Sequence, residues 1–485
     1  MSGLDHSIVF FYISGLFIIT FFSLKSKGQL LSSEMTERKV AEKQFLAGRN
    51  ATTLEAVFSI AATEFSALTF IQLPALAMIG KRGLLWGLFG IMLGRWLVSR
   101  FLLRNFYRTG LTVFDSLSKG VKNYAVTNLS AKRAQRLMAI LYFFSKILSV
   151  SAAIYLGSNF VSKFYNVDFQ WIIIAVIIIT SLYTIIGGLK AVMRTDILQF
   201  VTICIGGIIL TKIAFEKSEQ GNVFELLKIA NTVSFGTSGL IPVLVGFLSG
   251  FISDFVTHGV EQDFVQKLKA CRTPSIASKA VIWSTWLSIA MQTLFIFIGA
   301  AFVIGRPGLN DDLSASMNLF MDLTVESMGT GTRGLVVVAI LSATMSSLDS
   351  SLNALSSVLW NDILPQEQYH RRPIFIKIDN TVVAMFVGIF AFFVGQNPNY
   401  VSGFLNINSV VLLPVVCCFI LRFVFYPRVM FGYGLHTVMF TIFSCVFGIV
   451  LNTFYLNLPF QMSIFPCLFF SMVVLWFYEK LKLYI

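Results

Sequence analysis

Charge is scarce in this chain. Only 13% of its 485 residues are Asp, Glu, Lys or Arg, against 56% hydrophobic, and the mean hydropathy is +0.77. A soluble domain needs a polar exterior, so this shortage excludes most soluble classes and makes lipid the solvent for most of the surface. No polar stretch between the apolar blocks is long enough to house a folded soluble module, so a single membrane domain over 1–485 is expected. Cysteine is scarce too. The six (Cys204, Cys271, Cys417, Cys418, Cys445, Cys467) lie mostly in apolar stretches, with no C-x-x-C and no His at metal spacing, and read as packing residues. H-E-x-x-H, G-x-S-x-G and the phosphate-cradling G-x-x-x-x-G-K-[ST] are missing, which argues against a membrane-embedded enzyme and a primary pump. No low-complexity tract or sequence repeat is visible, and an inverted repeat can exist in structure alone.

What the chain has is long apolar runs. A bilayer core needs about 20 apolar residues per helix, which gives about 13 spans, roughly at 6–24, 53–80, 84–104, 136–162, 168–186, 190–214, 238–258, 278–304, 333–360, 379–396, 399–421, 430–451 and 461–478. The first run lacks a basic n-region and a small-residue cleavage site, so it reads as a retained helix and not a signal peptide.

A net charge of +13 on a soluble protein would raise the question of nucleic acid, but here the basic residues sit in short connections between spans. Membrane topology explains them, and no nucleic acid partner is expected. With the N-terminus outside, the inward loops hold Lys25, Lys27, Arg38, Lys39, Lys43 and Arg49, then a second group from Arg100 to Arg136. Lys267, Lys269, Arg272 and Lys279 follow, then Arg371, Arg372 and Lys377, Arg422 and Arg428, and Lys480 and Lys482. Roughly 27 of the 37 Lys and Arg then face the cytoplasm, while the outward loop from Arg306 to Arg333 is acidic in its middle. The expected placement is a multi-pass plasma (inner) membrane protein with its N-terminus out and its C-terminus in.

Lipid does not explain every residue. An ionisable side chain at the bilayer centre costs about 2.5–3.5 kcal/mol, and Glu64, Asp196, Asp254, Asp349, Lys146 and His258 all fall in or near spans. Lys146 either snorkels or pairs with a carboxylate, Asp196 pairs with Arg194 at a helix end or lies deeper, and His258 is either a wet helix-end residue or part of a site. Glu64 is harder to dismiss, because basic residues are distant in sequence on both sides. Two segments concentrate small and hydroxylic residues: Ser59 to Thr69, followed by Gln72 and Pro74, and Ser342 to Asn353. Small residues also let membrane helices pack closely. A dehydrated hard cation, however, wants several oxygens, from carboxylates, hydroxyls and carbonyls freed where a helix breaks. Pro74 removes the hydrogen bond to the carbonyl near Phe70, so the break in the 53–80 span is expected there.

At these residues the chain resembles the sodium:solute symporter family, whose members carry sugars, proline, iodide, monocarboxylates, vitamins and sialic acid. Five motifs carry the resemblance in order: Phe45-Leu46-Ala47-Gly48-Arg49; Ala61-Ala62-Thr63-Glu64-Phe65-Ser66-Ala67 on to Pro74; Gly187-Gly188-Leu189-Lys190-Ala191-Val192 leading to Thr195-Asp196-Ile197-Leu198-Gln199; His258 through Gln266-Lys267; and Ala343-Thr344-Met345-Ser346-Ser347 through Asn353-Ala354-Leu355-Ser356. The resemblance implies an all-α polytopic fold with a five-plus-five inverted-repeat core containing broken helices at 53–421, an extra helix at 6–24 and two helices at 430–485. It implies a main sodium site made by the carbonyls of Ala62, Phe65 and Ala343 and the hydroxyls of Ser346 and Ser347. A second cation or proton position would match Asp196, Ser346, Asp349 and Ser350, with Glu64 a further candidate for that role. Asp349 stands where the compared members carry a hydroxyl, which would either strengthen cation binding or make the position a proton carrier.

Solute contacts are expected near the midplane, at Ser66, Thr69 and Gln72 and at Asp254 and His258. Sugar carriers have glutamine aligned with Thr69 and asparagine aligned with Asp254, which argues against glucose or galactose. Proline carriers have an acid aligned with Glu64, which leans toward an amino acid. The expected function is sodium-coupled symport of a small polar organic solute, with sodium as coupling ion, no other cofactor, the lipid bilayer as surroundings and no obligate protein partner. The alternatives are a proton-coupled symporter on the same fold and a non-transporting membrane sensor, and no appended signalling domain after Ile485 is expected.

Overall fold

The computed structural model describes residues 1–25, 37–79, 84–107, 110–115, 128–217, 240–303, 312–364, 374–397, 400–421, 435–451 and 463–482. Among these residues every regular element is a helix, with one isolated parallel bridge between Ala51 and Cys271. The helices are α1 (Gly3–Lys25), α2 (Glu37–Phe45), α3 (Thr53–Glu64), α4 (Ala67–Met78) and α5 (Leu84–Leu97), the last continuing through a wider π turn to Tyr107. Then come α6 (Asn128–Tyr165), α7 (Phe169–Lys217), α8 (Leu240–Val260), α9 (Gln262–Ala270), α10 (Pro274–Val303) and α11 (Leu313–Ser327). The chain ends with α12 (Thr332–Val358), α13 (Ile374–Gly395), α14 (Tyr400–Ile420), α15 (Leu435–Leu451) and α16 (Ile464–Lys482).

Eight helices among the described residues are long and apolar enough to cross a membrane, nine when the bent pair α3 and α4 is taken as one span, and three shorter apolar helices follow. Helix α7 is two rods that meet at Gly188. With that joint counted, all thirteen expected apolar segments are present as helices. Gly188 has φ +61°, a conformation that other residues rarely adopt, so glycine is favoured there.

The two breaks that matter lie elsewhere. Helices α3 and α4 bend by 57° at Phe65–Ser66. Pro74 sits within α4, so the break expected from it is displaced toward the N-terminus. The local cause is capping: Ser66 is extended (φ −67°, ψ 164°) and its hydroxyl accepts from Thr69 N at 3.2 Å, starting a new helix there. Pro74 instead marks close packing, since a Cβ on Gly299 of α10 would lie 2.2 Å from its carbonyl oxygen. The second break is at Glu261, extended at φ −72° and ψ 125°, between α8 and α9.

Helix α12 forms the centre of the molecule. Every residue from Val336 to Val358 is buried, including the serine, threonine, aspartate and asparagine side chains between Ser342 and Ser357 that lipid would not accept. It packs most extensively on α7. Helices α5 and α8 approach through glycine, with added Cβ atoms on Gly90 and Gly250 falling 2.0 Å from Phe247 O and 2.1 Å from Gly87 O. Phe10, Phe21, Trp96, Trp283 and Phe393 stay exposed, as lipid-facing side chains do.

Three segments read as loops differ. Residues 37–45 form α2, and part of the acidic stretch before Arg333 forms α11, whose buried Met317, Phe320 and Met321 lie on a helix that packs toward α4. Lys267 and Lys269, counted as inward loop charges, lie on α9 and are wholly buried. Lys27, Arg108, Lys119, Lys122, Arg306, Arg371, Arg372, Arg422 and Arg428 lie outside the described residues.

Candidate cation and solute site

The last carbonyls of a helix have no partner in their own helix. Ending α3 at Glu64 therefore leaves the carbonyls around Ala62 and Phe65 at an electronegative helix end, which favours a cation. Glu64 O is taken by the Thr69 hydroxyl at 3.1 Å. Against this end packs the hydroxyl-rich turn of α12: Thr63 Oγ1 lies 2.9 Å from Ser350 Oγ, and Ser347 Oγ donates to Ala343 O at 3.2 Å. The five expected main-site residues thus fall at the end of α3 and on α12, which are in contact.

Behind them lies a buried ionic cluster. Asp196 Oδ2 accepts from Ser59 Oγ at 2.5 Å and Lys267 Nζ at 3.1 Å, and Asp196 Oδ1 accepts from Ser346 Oγ at 2.7 Å. Lys267 also donates to Ser59 O at 2.9 Å and to the Thr63 hydroxyl. Asp349 accepts from Tyr183 OH at 2.6 Å and Ser350 Oγ at 3.2 Å. The expected second-position residues Asp196, Ser346, Asp349 and Ser350 are brought together by both rods of α7 with α3, α9 and α12. Arg194 is not the partner of Asp196; its guanidinium binds Glu55 at 3.0 Å. Lys267, which its sequence neighbours make look like a loop residue, supplies the positive charge.

Beside the bend of α3 and α4 lies a cavity of about 820 Å³ whose wall includes Glu64, Ser66, Thr69, Asp254, Ser347 and Ser351. Glu64 belongs to this wall and not to the Asp196 cluster. Arg95 of α5, wholly buried, donates to Glu64 Oε2 at 2.5 Å and to Asp254 at 2.6 and 3.2 Å, with Ser288 Oγ at 3.1 Å. Gln292 Nε2 adds a donor to Glu64 Oε1 at 3.1 Å. Lys146 bonds Glu261 at 2.5 Å and Asp263 at 2.7 Å at the α8 to α9 break, so it is paired and does not snorkel. His258 is fully buried, Nδ1 3.4 Å from Asp254 Oδ1, and is not a wet helix-end residue. Of the five expected solute contacts, Ser66, Thr69 and Asp254 line the cavity, while Gln72 and His258 are not among its lining residues. Gln292, Lys146 and Glu261 also line the cavity and Arg95 stands behind Glu64 and Asp254; none of the four was read as a solute-site residue.

Comparison with known proteins places this geometry. The family model of the sodium:solute symporter family matches residues 44–435. The chain is 25% identical over 375 residues to the sodium/sialic acid symporter NanT of Aliivibrio fischeri, covering 73% of this chain and 71% of that protein. It is 26% identical to the sodium/myo-inositol cotransporter 2 of Mus musculus, covering 50% of this chain and 42% of the relative, and 25% identical to the human sodium/iodide cotransporter, covering 67% and 52%. The matched stretch thus spans about half the length of these two mammalian relatives. In structure, a Na+-coupled sialic acid symporter in a substrate-bound, outward-open state aligns with a TM-score of 0.80 at 19% identity, over 97% of this chain and 96% of that one. Mhp1, a nucleobase-cation-symport-1 family transporter, aligns in a closed state at 0.54 and 13% identity, over 90% and 94%. These likenesses show the expected inverted-repeat transporter fold. The chain is a multi-pass membrane protein that belongs to the sodium:solute symporter family.

Proposed function

We propose that this protein is a secondary active symporter that uses a sodium gradient to bring a small polar organic solute into the cell. The observation that carries this reading is the broken helix: a 57° bend at Phe65–Ser66 ends α3 against the oxygen-rich turn of α12, with Thr63 Oγ1 2.9 Å from Ser350 Oγ, and puts Glu64, Ser66 and Thr69 in the wall of a large cavity. One element therefore contacts both proposed ligands. Sodium is assigned to the carbonyls of Ala62, Phe65 and Ala343 and the hydroxyls of Ser346 and Ser347, and a second cation position to Asp196, Asp349 and Ser350. Bound sodium would draw the end of α3 onto α12 and fix the orientation of Thr63, Glu64 and Ser66 at the cavity, so filling one site alters the other. The orientation assigned is N-terminus out and C-terminus in, within the plasma membrane. The test is solute uptake into proteoliposomes holding the full chain, with an inward sodium gradient and with potassium in its place. Uptake that is equal in the two salts rejects sodium coupling.

A further inference from the structure

The charge of the cavity wall restricts the solute further. Among the described residues the wall carries four carboxylates, Glu64, Asp254, Glu261 and Asp263, and one ammonium, Lys146. The Arg95 guanidinium stands directly behind Glu64 and Asp254. Arg95 balances one carboxylate of the first pair and Lys146 one of the second. Two negative charges are left over. His258 faces Asp254 from the same helix but is not among the wall residues. Potentials in a cleft with low-dielectric walls are focused, and a negative one concentrates cations and repels anions.

We propose that the solute carries an ammonium group, held by the carboxylate faces of Glu64 and Asp254, and that Arg95 is a positioning residue that fixes those two carboxylates. This deepens the symporter reading and rests on it. One ammonium held at Glu64 and Asp254 neutralises the surplus charge of that pair. A carboxylate or halide solute adds to it. A neutral polyol leaves it unbalanced.

The test reads the cavity directly. Ser249 lines it, so Ser249→Cys is labelled in the detergent-purified full chain with a trimethylammonium methanethiosulfonate and with its sulfonate counterpart. Cys204 is half-buried and is changed to Ser to remove background, while burial pushes the Cys271 thiol up to about 12, where it stays protonated and unreactive. After normalising each reagent to its rate with glutathione, the cationic one should react about tenfold faster. Glu64→Gln should lower that ratio severalfold. A normalised ratio at or below one overturns the proposal.

A second arm uses the same Ser249→Cys protein and measures protection of the introduced thiol from N-ethylmaleimide by ethanolamine, acetate or myo-inositol, in sodium and in potassium. Protection by ethanolamine in sodium supports the assignment, and protection by acetate or myo-inositol alone overturns it. Protection by ethanolamine that is the same in both salts leaves the solute class standing and rejects sodium coupling, so the two readings fail separately.

Discussion

At the scale of single residues, the oxygens of α12 do different work. Ser347 turns back on Ala343 while Ser346 is engaged with Asp196. Removing both hydroxyls in Ser346→Ala with Ser347→Ala takes two proposed ligands from sodium. The sodium concentration for half-maximal uptake should rise by about tenfold, or 1.4 kcal/mol, with expression and detergent stability held. An unchanged sodium activation curve takes these serines out of the site. Lys267 gives a second prediction. In Lys267→Met the buried Asp196 charge is stranded, at a cost of about 3–5 kcal/mol, which thermal unfolding in detergent should register as a clear loss. Adding Asp196→Asn should recover much of it. A single variant that melts with the parent would show that the pair carries no stability. The sequence announced Glu64, Asp196, Asp254 and Asp349 as residues needing partners, because a lone acid in an apolar run is conspicuous. It did not announce the partners. Arg95 meets Asp254 across 159 positions and Lys267 meets Asp196 across 71. Lys267, next to Lys269 and Arg272, resembles an ordinary loop charge until α9 is seen to be buried.

At the scale of elements, apolar length alone located the spans, since a bilayer imposes that length on any helix that crosses it. The breaks were harder to read. Pro74 drew the expected break toward itself, although a membrane helix can accommodate a proline. The real discontinuity depends on Ser66 capping Thr69, a short polar signal hidden among other serines and threonines. The break at Glu261 was not anticipated, because the polar run from Glu261 to Asp263 passes for the end of a span. The seam between α5 and α8 supplies a third prediction. Gly90→Ala puts a Cβ 2.0 Å from the Phe247 carbonyl oxygen, which is backbone and has no rotamer to yield. The two helices must separate, and Arg95 on α5 then loses its grip on Asp254 of α8. Uptake and thermal stability should both fall, whereas Gly3→Ala, with nothing within 4 Å of its added Cβ, should match the parent. A Gly90→Ala protein that behaves like Gly3→Ala would mean that the seam is looser than this packing.

At the scale of the whole molecule, the orientation argument rests on Lys and Arg counts, and the burial of Lys267 and Lys269 removes two charges from it. The remaining excess still favours a cytoplasmic C-terminus. A reporter fused after Ile485 should therefore be active inside, and a cysteine placed near Asp312 should react with an impermeant reagent from outside. The reverse pattern at both positions would invert the assignment.

The parallel bridge has a mechanical consequence. Ala51 N donates to Ala270 O at 3.0 Å, fastening the start of α3 to the end of α9, and farther along Lys267 reaches from α9 to Ser59 and Thr63 of α3. Two half-helices joined at both points behave as a single yoke. Whatever tips α3 must carry α9 with it, and with α9 goes Asp263, one of the two carboxylates that hold Lys146. A pull delivered by an ion at one arm of the yoke is thereby felt at the cavity wall, through Asp263 and Lys146.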